Sequence, residues 1–358
     1  MAALSGAGMK GRIVVLDEIA GRKAAALVVD GVLEDLFVDP PGDDALLPGA
    51  VFRGILDRPM KGQGGIFVRL PGGTGFLRGT EGARPGARVI VQVSGVAEPG
   101  KAVPLTQRVL FKGQLAIVTP GAGGINVARR VEPGAAAALR ALGERVMAGA
   151  PEDLGLILRS AAEGADPADV AAEAEGLRDL AQAVMADLEG GPEQLLDAPD
   201  AHERAARDWA EPAPDAVHQG AGEFAAHEVD ALIARALAPE VALPGGGSMV
   251  IEATRALVAV DVNTGGDTSP AAALKANIAA ARALPRELRL RGLGGQVVID
   301  FAPVPKRDRP AIVQSLTAMF RNEGAETSLA GWTALGLFEL QRKRDRLSLA
   351  RALAGWQP

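Results

Sequence analysis

With 358 residues the chain can bury two or three separate cores, and with no cysteine it can form neither disulfides nor thiolate metal sites. Its formal net charge of −6 gives it no global attraction for a polyanion, and no apolar run approaches the ~18 residues that a membrane span needs. The opening M-A-A-L-S-G-A-G-M-K-G-R lacks the apolar core of a secretory signal and reads as a short tail ahead of Met9-Lys10, in a cytoplasmic protein. Nucleic-acid affinity follows a local basic footprint rather than total charge. Lys and Arg gather at 286–291, 306–309 and 342–346, while the acids concentrate at 152–200.

The chain opens with β-type runs at 13–16, 24–29 and 33–38 and a turn at Gly21-Arg22. The cluster D-P-P-G-D-D at 39–44 ends a unit too small to bury a core alone, so it needs a partner from later in the chain. From Gly49 to about Gln107, short strand-like runs alternate with glycine turns, a spacing that predicts an OB-type barrel. Phe67 and Phe76 are its conspicuous aromatics. On an exposed barrel face such rings stack on single-stranded bases, for roughly 1–3 kcal/mol per base; turned inward they fill the barrel.

In 108–164 the run L-A-I-V-T-P leads through a glycine turn to Arg129-Arg130, a helix predicted over 135–147, and D-L-G-L-I-L-R-S-A-A-E-G. Arg159 and Ser160 leave the end of that last apolar run together. A guanidinium beside a hydroxyl suits a terminal phosphate; the competing reading pairs Arg159 with a local carboxylate such as Glu163. Residues 166–188 are alanine-rich with apolar positions at helical period, as in a packing helix. The stretch 195–220 is polar and carries no regular-structure signal, and His202, His218 and His227 lack ligand-like spacing and read as surface or structural. A helix predicted over 224–236 leads into E-V-A-L-P-G-G-G-S.

Residues 249–252, 256–263 and 296–301 are Val, Ile and Leu-rich runs that read as buried strands. Alternation places Asp261 and Asn263 on one face and Val262 on the other, and Asp300 sits at the exit of the third run. If these strands are neighbours, two carboxylates and an amide converge at one sheet edge. That set suits Mg²⁺, which needs only one or two carboxylates when a phosphate supplies further oxygens. The plain alternative is that both aspartates cap strands. Between them Ser269 and Pro270 open a helix that Pro285 is expected to break or kink, and another helix is predicted over 311–320.

V-A-V-D-V-N-T-G at 258–265 and L-R-L-R-G-L-G-G-Q-V-V-I-D-F at 288–301 resemble the most characteristic motifs of the ribonuclease E/G family. The resemblance implies a multidomain α/β protein: an OB-type (S1) β-barrel at 46–107 inserted in a reduced RNase H-like subdomain, whose parts are 1–45 and a helical 165–243, with a 5′-sensor-like region at 108–164 and a DNase I-like α/β catalytic domain at 244–358. It also implies a Mg²⁺-dependent endoribonuclease that cleaves single-stranded RNA to 5′-phosphate and 3′-hydroxyl products. Asp261 and Asp300 would hold the metal and Asn263 would position the scissile phosphate. F-V-R-L-P-G-G-T-G-F-L resembles the family's barrel, carrying over Phe67 and Phe76 as RNA contacts and Lys101 as a phosphate contact. G-L-I-L-R-S-A resembles the 5′-sensor, with Arg159 and Ser160 as its guanidinium and hydroxyl. Arg289 and Arg291, lying between the catalytic strands, are expected to touch RNA backbone, with a solvated face as the alternative; Lys275 and Asn277 resemble family positions on the intervening helix. G-W-T-A-L-G-L-F-E-L-Q-R-K-R-D-R-L-S-L resembles the strand that closes the catalytic domain.

The family's zinc-link, Cys-Pro-x-Cys, and the small domain beyond it are missing, so zinc is not expected and the oligomeric state stays open. Arg255 stands where the family commonly has glutamate, and 322–326 replaces a basic segment. These departures keep a second reading open, a non-catalytic RNA-binding paralogue that regulates RNA decay, and a more remote one, a metal phosphohydrolase of small nucleotides. Retention of Asp261, Asn263 and Asp300 favours the nuclease.

Overall fold

A computed structural model describes residues 10–42, 46–60, 62, 64–79, 84–98 and 100–356; the tail up to Met9 and the end of the 39–44 turn cluster lie outside the described residues. No described helix is long and apolar enough to cross a membrane. The architecture is mixed α/β, with several sheets and one closed barrel.

Strands Arg12–Ile19, Arg22–Val29 and Val32–Val38 form an antiparallel meander. Its hairpins turn on Ala20-Gly21 and Asp30-Gly31, where both central residues have positive φ, matching the right-handed twist of the strands. The partner this small unit needs arrives late in the chain: Ala216–Gln219 pairs parallel to Arg12–Ile19, setting Val15 opposite His218. Helices Glu223–Ala226 and Val229–Leu237 bury Phe224, Val229 and Ile233 on one face of this sheet. Helix Ala201–Asp208 covers the other with Ala201, Ala205 and Trp209. The stretch 195–220 is therefore ordered, contrary to its bland composition. A capping box specifies the helix, since Asp200 accepts from the Glu203 N–H while Glu203 accepts from the Asp200 N–H. The strand is specified only by its remote partner. The single helix expected over 224–236 is two helices, separated at Glu228, whose φ is 52°.

Strands Val51–Met60, Gly65–Leu70, Gly73–Arg78, Val103–Thr106 and Arg88–Val93 close the barrel in that spatial order, the last pairing back to the first. Gly73–Arg78 and Val103–Thr106 are parallel neighbours, and Phe52, Ile66, Val68, Leu77, Val91 and Leu105 fill the interior. A further sheet orders Gly124–Val127, Leu154–Leu158, Ala116–Pro120 and Phe111–Lys112, and helices Pro133–Val146 and Pro167–Ala186 complete its core with Leu139, Leu142, Val170 and Ala174.

The last sheet runs Glu240–Ala242, Ser248–Ala253, Val258–Asn263, Gly295–Asp300, Phe338–Arg342 and Thr327–Trp332. Met249, Val260, Val262, Val297 and Ile299 pack one of its faces on helices Pro270–Leu290 and Arg309–Phe320. The stretch expected to supply one closing strand lies in a hairpin, Thr327–Trp332 against Phe338–Arg342. Helix Pro270–Leu290 starts on the Ser269 side-chain cap and continues through Pro285 rather than breaking there. An interior proline costs about 3 kcal/mol, an amount comparable to what burial of Leu284 and Leu288 in the core on either side of it contributes.

Ion pairs tie these parts together. Buried Asp35 receives both Arg346 guanidinium nitrogens at 2.5 and 3.1 Å and the Trp209 Nε1 at 3.3 Å. Arg289 pairs with Glu323 and Glu34 and lies 3.8 Å from Asp35, and Arg342 also reaches Glu323. Arg204 and Arg346 sit over Phe37 at 3.9 and 4.8 Å from its centroid, and the Phe37 ring stacks on Trp209. Burial pushes the Asp35 carboxyl up, yet Arg346, with Arg289 behind it, outweighs burial and holds it below its ordinary value. Burial and the neighbouring Arg346 push Arg204 down to about 10, so it stays charged at neutral pH.

A carboxyl with a depressed folded-state pKa stabilises the fold above its unfolded value, about 3.9, and that stability is lost as pH falls through the folded value. Urea melts between pH 7 and pH 2 should show stability falling below about pH 4. Asp35→Asn, which strips Arg346 of its buried partner, should cost about 3–5 kcal/mol at pH 7 and flatten that acid limb.

Candidate active site and nucleic-acid interface

Strands Val258–Asn263 and Gly295–Asp300 are parallel neighbours, and their register sets Asp261 directly opposite Asp300. Register partners on adjacent parallel strands project to the same face, and the strands stand about 4.8 Å apart. Val260, Val262 and Ile299 take the packed face, so alternation turns Asp261, Asn263 and Asp300 outward, where all three are exposed. The Asn263 Nδ2 donates to Asp261 Oδ2 at 2.8 Å and orients that carboxylate. Among the described residues neither aspartate accepts a backbone N–H, as a capping aspartate would. Two carboxylates and an amide oxygen at a solvent-open strand edge form an all-oxygen donor set, which fits a hard divalent cation that keeps several waters.

The surroundings hold this edge in place. Buried Asn277 donates from Nδ2 to the Ala302 carbonyl at 2.9 Å and accepts from the Ala302 N–H at 3.0 Å, pinning the chain just past Asp300 to the long helix. On the other side a glycine loop crowds the end of the first strand. A Cβ on Gly247 would stand 2.6 Å from the Asn263 carbonyl oxygen, and one on Gly265 2.3 Å from that of Gly246. Exposed Lys275 reaches over Gly245 in the same loop and brings a positive charge to the strand end.

The arginines expected to join this surface do not lie on it. Arg291 is 7% exposed, pairs with Glu287 and donates to the Ala238 carbonyl at 2.9 Å. Arg289 is used by Glu323 and Glu34. A cluster of arginines spread around a helix places some of them inward, and acids distant in sequence wait there. Lys306, Arg309 and Arg321 line a separate groove with Trp332.

Phe67 and Phe76 are register partners on adjacent barrel strands. Because Ile66, Val68 and Leu77 point inward, both rings lie outside, half-buried and edge-to-face, with centroids 5.5 Å apart. Phe67, Asp57, Arg58, Thr74 and Lys101 line one shallow groove, and Arg58 lies 5.6 Å from the Phe67 centroid. Lys101 is exposed and pairs with Glu98 at 2.5 Å. Arg58 and Thr74 escape the sequence reading. Barrel closure is what aligns them with Phe67, and the one local hint is a charged D-R-P at the end of an apolar strand.

Arg159 donates from a guanidinium nitrogen to the Gly113 carbonyl at 2.6 Å and from its backbone N–H to the Leu115 carbonyl at 2.8 Å. Glu163 instead accepts from the Glu132 N–H at 3.1 Å, so the local ion pair that sequence proximity offers is not made. Ser160 opens a half-buried 3₁₀ turn beside it. The loop that receives Arg159 is held by Glu173, whose carboxylate accepts the N–H groups of Gln114, Leu115 and Ala116 at 3.1, 2.7 and 2.8 Å. Glu173 is a positioning residue that no local motif announces. Burial lowers the Arg159 pKa against the opposing pull of Asp208. Lys112, which keeps solvent contact, is likewise lowered by burial and by the like charges of Arg207, Arg159 and Lys343. Lys112, Arg159, Arg207 and Lys343 gather where Asp208 and Glu173 are the acids acting on them, an excess of positive charge that favours an added anion.

The histidines divide. His202 Nε2 lies 3.0 and 3.1 Å from the carbonyls of Asp17 and Ala24, a structural role. His218 and His227, remote by spacing, meet with ring centroids 4.2 Å apart beside Glu223.

Residues 111–223 and 215–345 match the model of the Ribonuclease E/G family. Ribonuclease G of Escherichia coli (strain K12) is 30% identical over 322 residues, covering 78% of this chain and 64% of that protein. Ribonuclease E of Nostoc sp. (strain PCC 7120) is 27% identical over 354 residues, covering 83% of this chain and 51% of the relative. Ribonuclease E of Haemophilus influenzae is 30% identical over 308 residues, covering 75% and 32%. The chain thus spans less than two thirds of the length of these curated relatives.

Asn277→Ala should leave the Ala302 N–H and C=O buried without partners and destabilise the protein by at least about 1–3 kcal/mol, read as a lower urea midpoint.

Proposed function

We propose, from the premise that this chain belongs to the ribonuclease E/G family, that it is a Mg²⁺-dependent endoribonuclease of single-stranded RNA, leaving 5′-phosphate and 3′-hydroxyl ends. The observation that carries this reading is the parallel register that sets exposed Asp261 against exposed Asp300 with Asn263 on the same face. Held by those two carboxylates, Mg²⁺ would supply Lewis-acid polarisation of a phosphoryl oxygen and a more acidic bound water. Asn263 orients the scissile phosphate, and Lys275 and Lys306 add positive charge where the phosphodiester must lie.

The barrel, of OB-type order, supplies sequence-tolerant grip: Phe67 and Phe76 stack on bases, while Lys101 and Arg58 face the backbone. Arg159 and Ser160, with Lys112 adding charge, receive a terminal 5′-phosphate. Arg289 is paired with Glu323 and Glu34 and Arg291 with Glu287, so any contact they make with RNA backbone would compete with these carboxylates. The sheet resembles a DNase I-like layer in presenting its chemistry at strand C-termini.

Cleavage of a fluorescent single-stranded RNA tests the proposal. The wild-type protein should cut with Mg²⁺ and stop with EDTA. Asp261→Asn and Asp300→Asn should each lose at least about 100-fold in rate with RNA binding retained. Binding without any cleavage by the wild type would sink the enzymatic reading and favour a regulatory RNA-binding role. Phe67→Ala should weaken RNA binding by about 1–3 kcal/mol. Arg159→Ala should abolish any preference for 5′-monophosphate over 5′-hydroxyl substrates.

A further inference from the structure

We propose that His218, Glu223 and His227 form a binding site for a divalent transition ion of the zinc type, separate from the Asp261–Asp300 edge. One ligand-capable atom from each lies within 4.8 Å of those of the other two. His227 Nε2 stands 3.2 Å from Glu223 Oε2. Two ligands on one tetrahedral ion with bonds of about 2.1 Å are about 3.4 Å apart, so this pair already has the spacing of a coordination shell, and His218 has at most about 1.4 Å to close. Two imidazoles and a carboxylate are a set that zinc accepts with its fourth position open, and that Mg²⁺, which prefers oxygen, does not. The expectation against zinc rests on missing cysteines, which this site does not need.

The ligands are carried by elements held independently of any ion. His218 lies in strand Ala216–Gln219, paired to Val15. Glu223 and His227 sit one helical turn apart, on the same face. The turn joining them to the strand is clamped by buried Asp17, whose carboxylate accepts the N–H groups of Gly222 at 3.3 Å and Phe224 at 2.8 Å, while the Gly220 N–H reaches the Leu16 carbonyl at 3.1 Å. All three ligand side chains are half-buried, so their carriers move little and the ion stays reachable from solvent. An ion there would lock the edge strand of the first sheet to the helical segment that follows it.

The test uses untagged full-length protein, stripped with EDTA and desalted, titrated with Zn²⁺ against a chromophoric chelator. With no cysteine and only His202 as a further histidine, the chain offers no rival imidazole pair. The expected result is one Zn²⁺ per chain, a thermal midpoint raised by several °C with Zn²⁺ but not Mg²⁺, and a tetrahedral Co²⁺ absorption band. Glu223→Gln should weaken Zn²⁺ binding at least 10-fold, and the double variant His218→Ala, His227→Ala should abolish it, with metal-free melts confirming that both fold. Asp261→Asn should bind Zn²⁺ as tightly as the wild type. Uptake unchanged in the histidine double variant, uptake lost in Asp261→Asn, or no stoichiometric uptake by the wild type would each overturn the inference. RNA cleavage is not the readout, so the nuclease proposal and this one stand or fall separately.

Discussion

The carboxylate of Asp35 cannot be buried without cations, and the cations that meet it come from distant parts of the chain. Arg346 arrives from beyond the last hairpin, Arg289 from the long helix, and the indole N–H of Trp209 from the segment that completes the first sheet. A buried pair of this kind is weak evidence for net stability, because desolvation consumes much of the attraction. Its effect here is on arrangement: displacing any one of these elements would leave a charge or a donor unpaired in a poorly solvated place. The long helix so positioned is the one that carries Asn277 to the strand exit beside Asp300 and Lys275 to the glycine loop beside Asn263.

A second link runs between the barrel and the last sheet. The Val96 N–H donates to the Arg344 carbonyl at 2.9 Å, and the Arg344 guanidinium pairs with Glu98 at 2.8 Å. Glu98 is also the partner of Lys101, so the groove lined by Phe67 is fastened to the segment just past strand Phe338–Arg342. In the proposed reading, base stacking, terminal-phosphate recognition and phosphodiester chemistry fall on different sheets, and the barrel is tied to the last sheet by these ion pairs and backbone hydrogen bonds. That division suits a polymeric ligand, which can touch several surfaces at once.

The charge pattern was the least readable feature. The arginine clusters at 286–291 and 342–346 look like a nucleic-acid footprint in one dimension, yet Arg289, Arg291, Arg342 and Arg346 are absorbed by Glu323, Glu287 and Asp35. The aromatics behaved differently: once the barrel strands were recognised, strict alternation between Ile66, Phe67 and Val68 decided which ring faced outward. The helix Ala201–Asp208 had a local signal in Asp200 and Glu203 that composition obscured, whereas strand Ala216–Gln219 had none.

Taken alone, the sequence determined the strands bearing Asp261, Asn263 and Asp300, the barrel with Phe67 and Phe76, and the run ending at Arg159-Ser160. Period-two alternation, turn glycines and long family motifs are all written locally, which is why they could be read. Only the tertiary structure decided that Asp261 and Asp300 are register partners, that Arg289 and Arg291 pair with acids, and that His218 meets Glu223 and His227. Each of these depends on which residues, far apart in the chain, share a few ångströms of space, and that follows from packing and strand register rather than from any spacing along the chain.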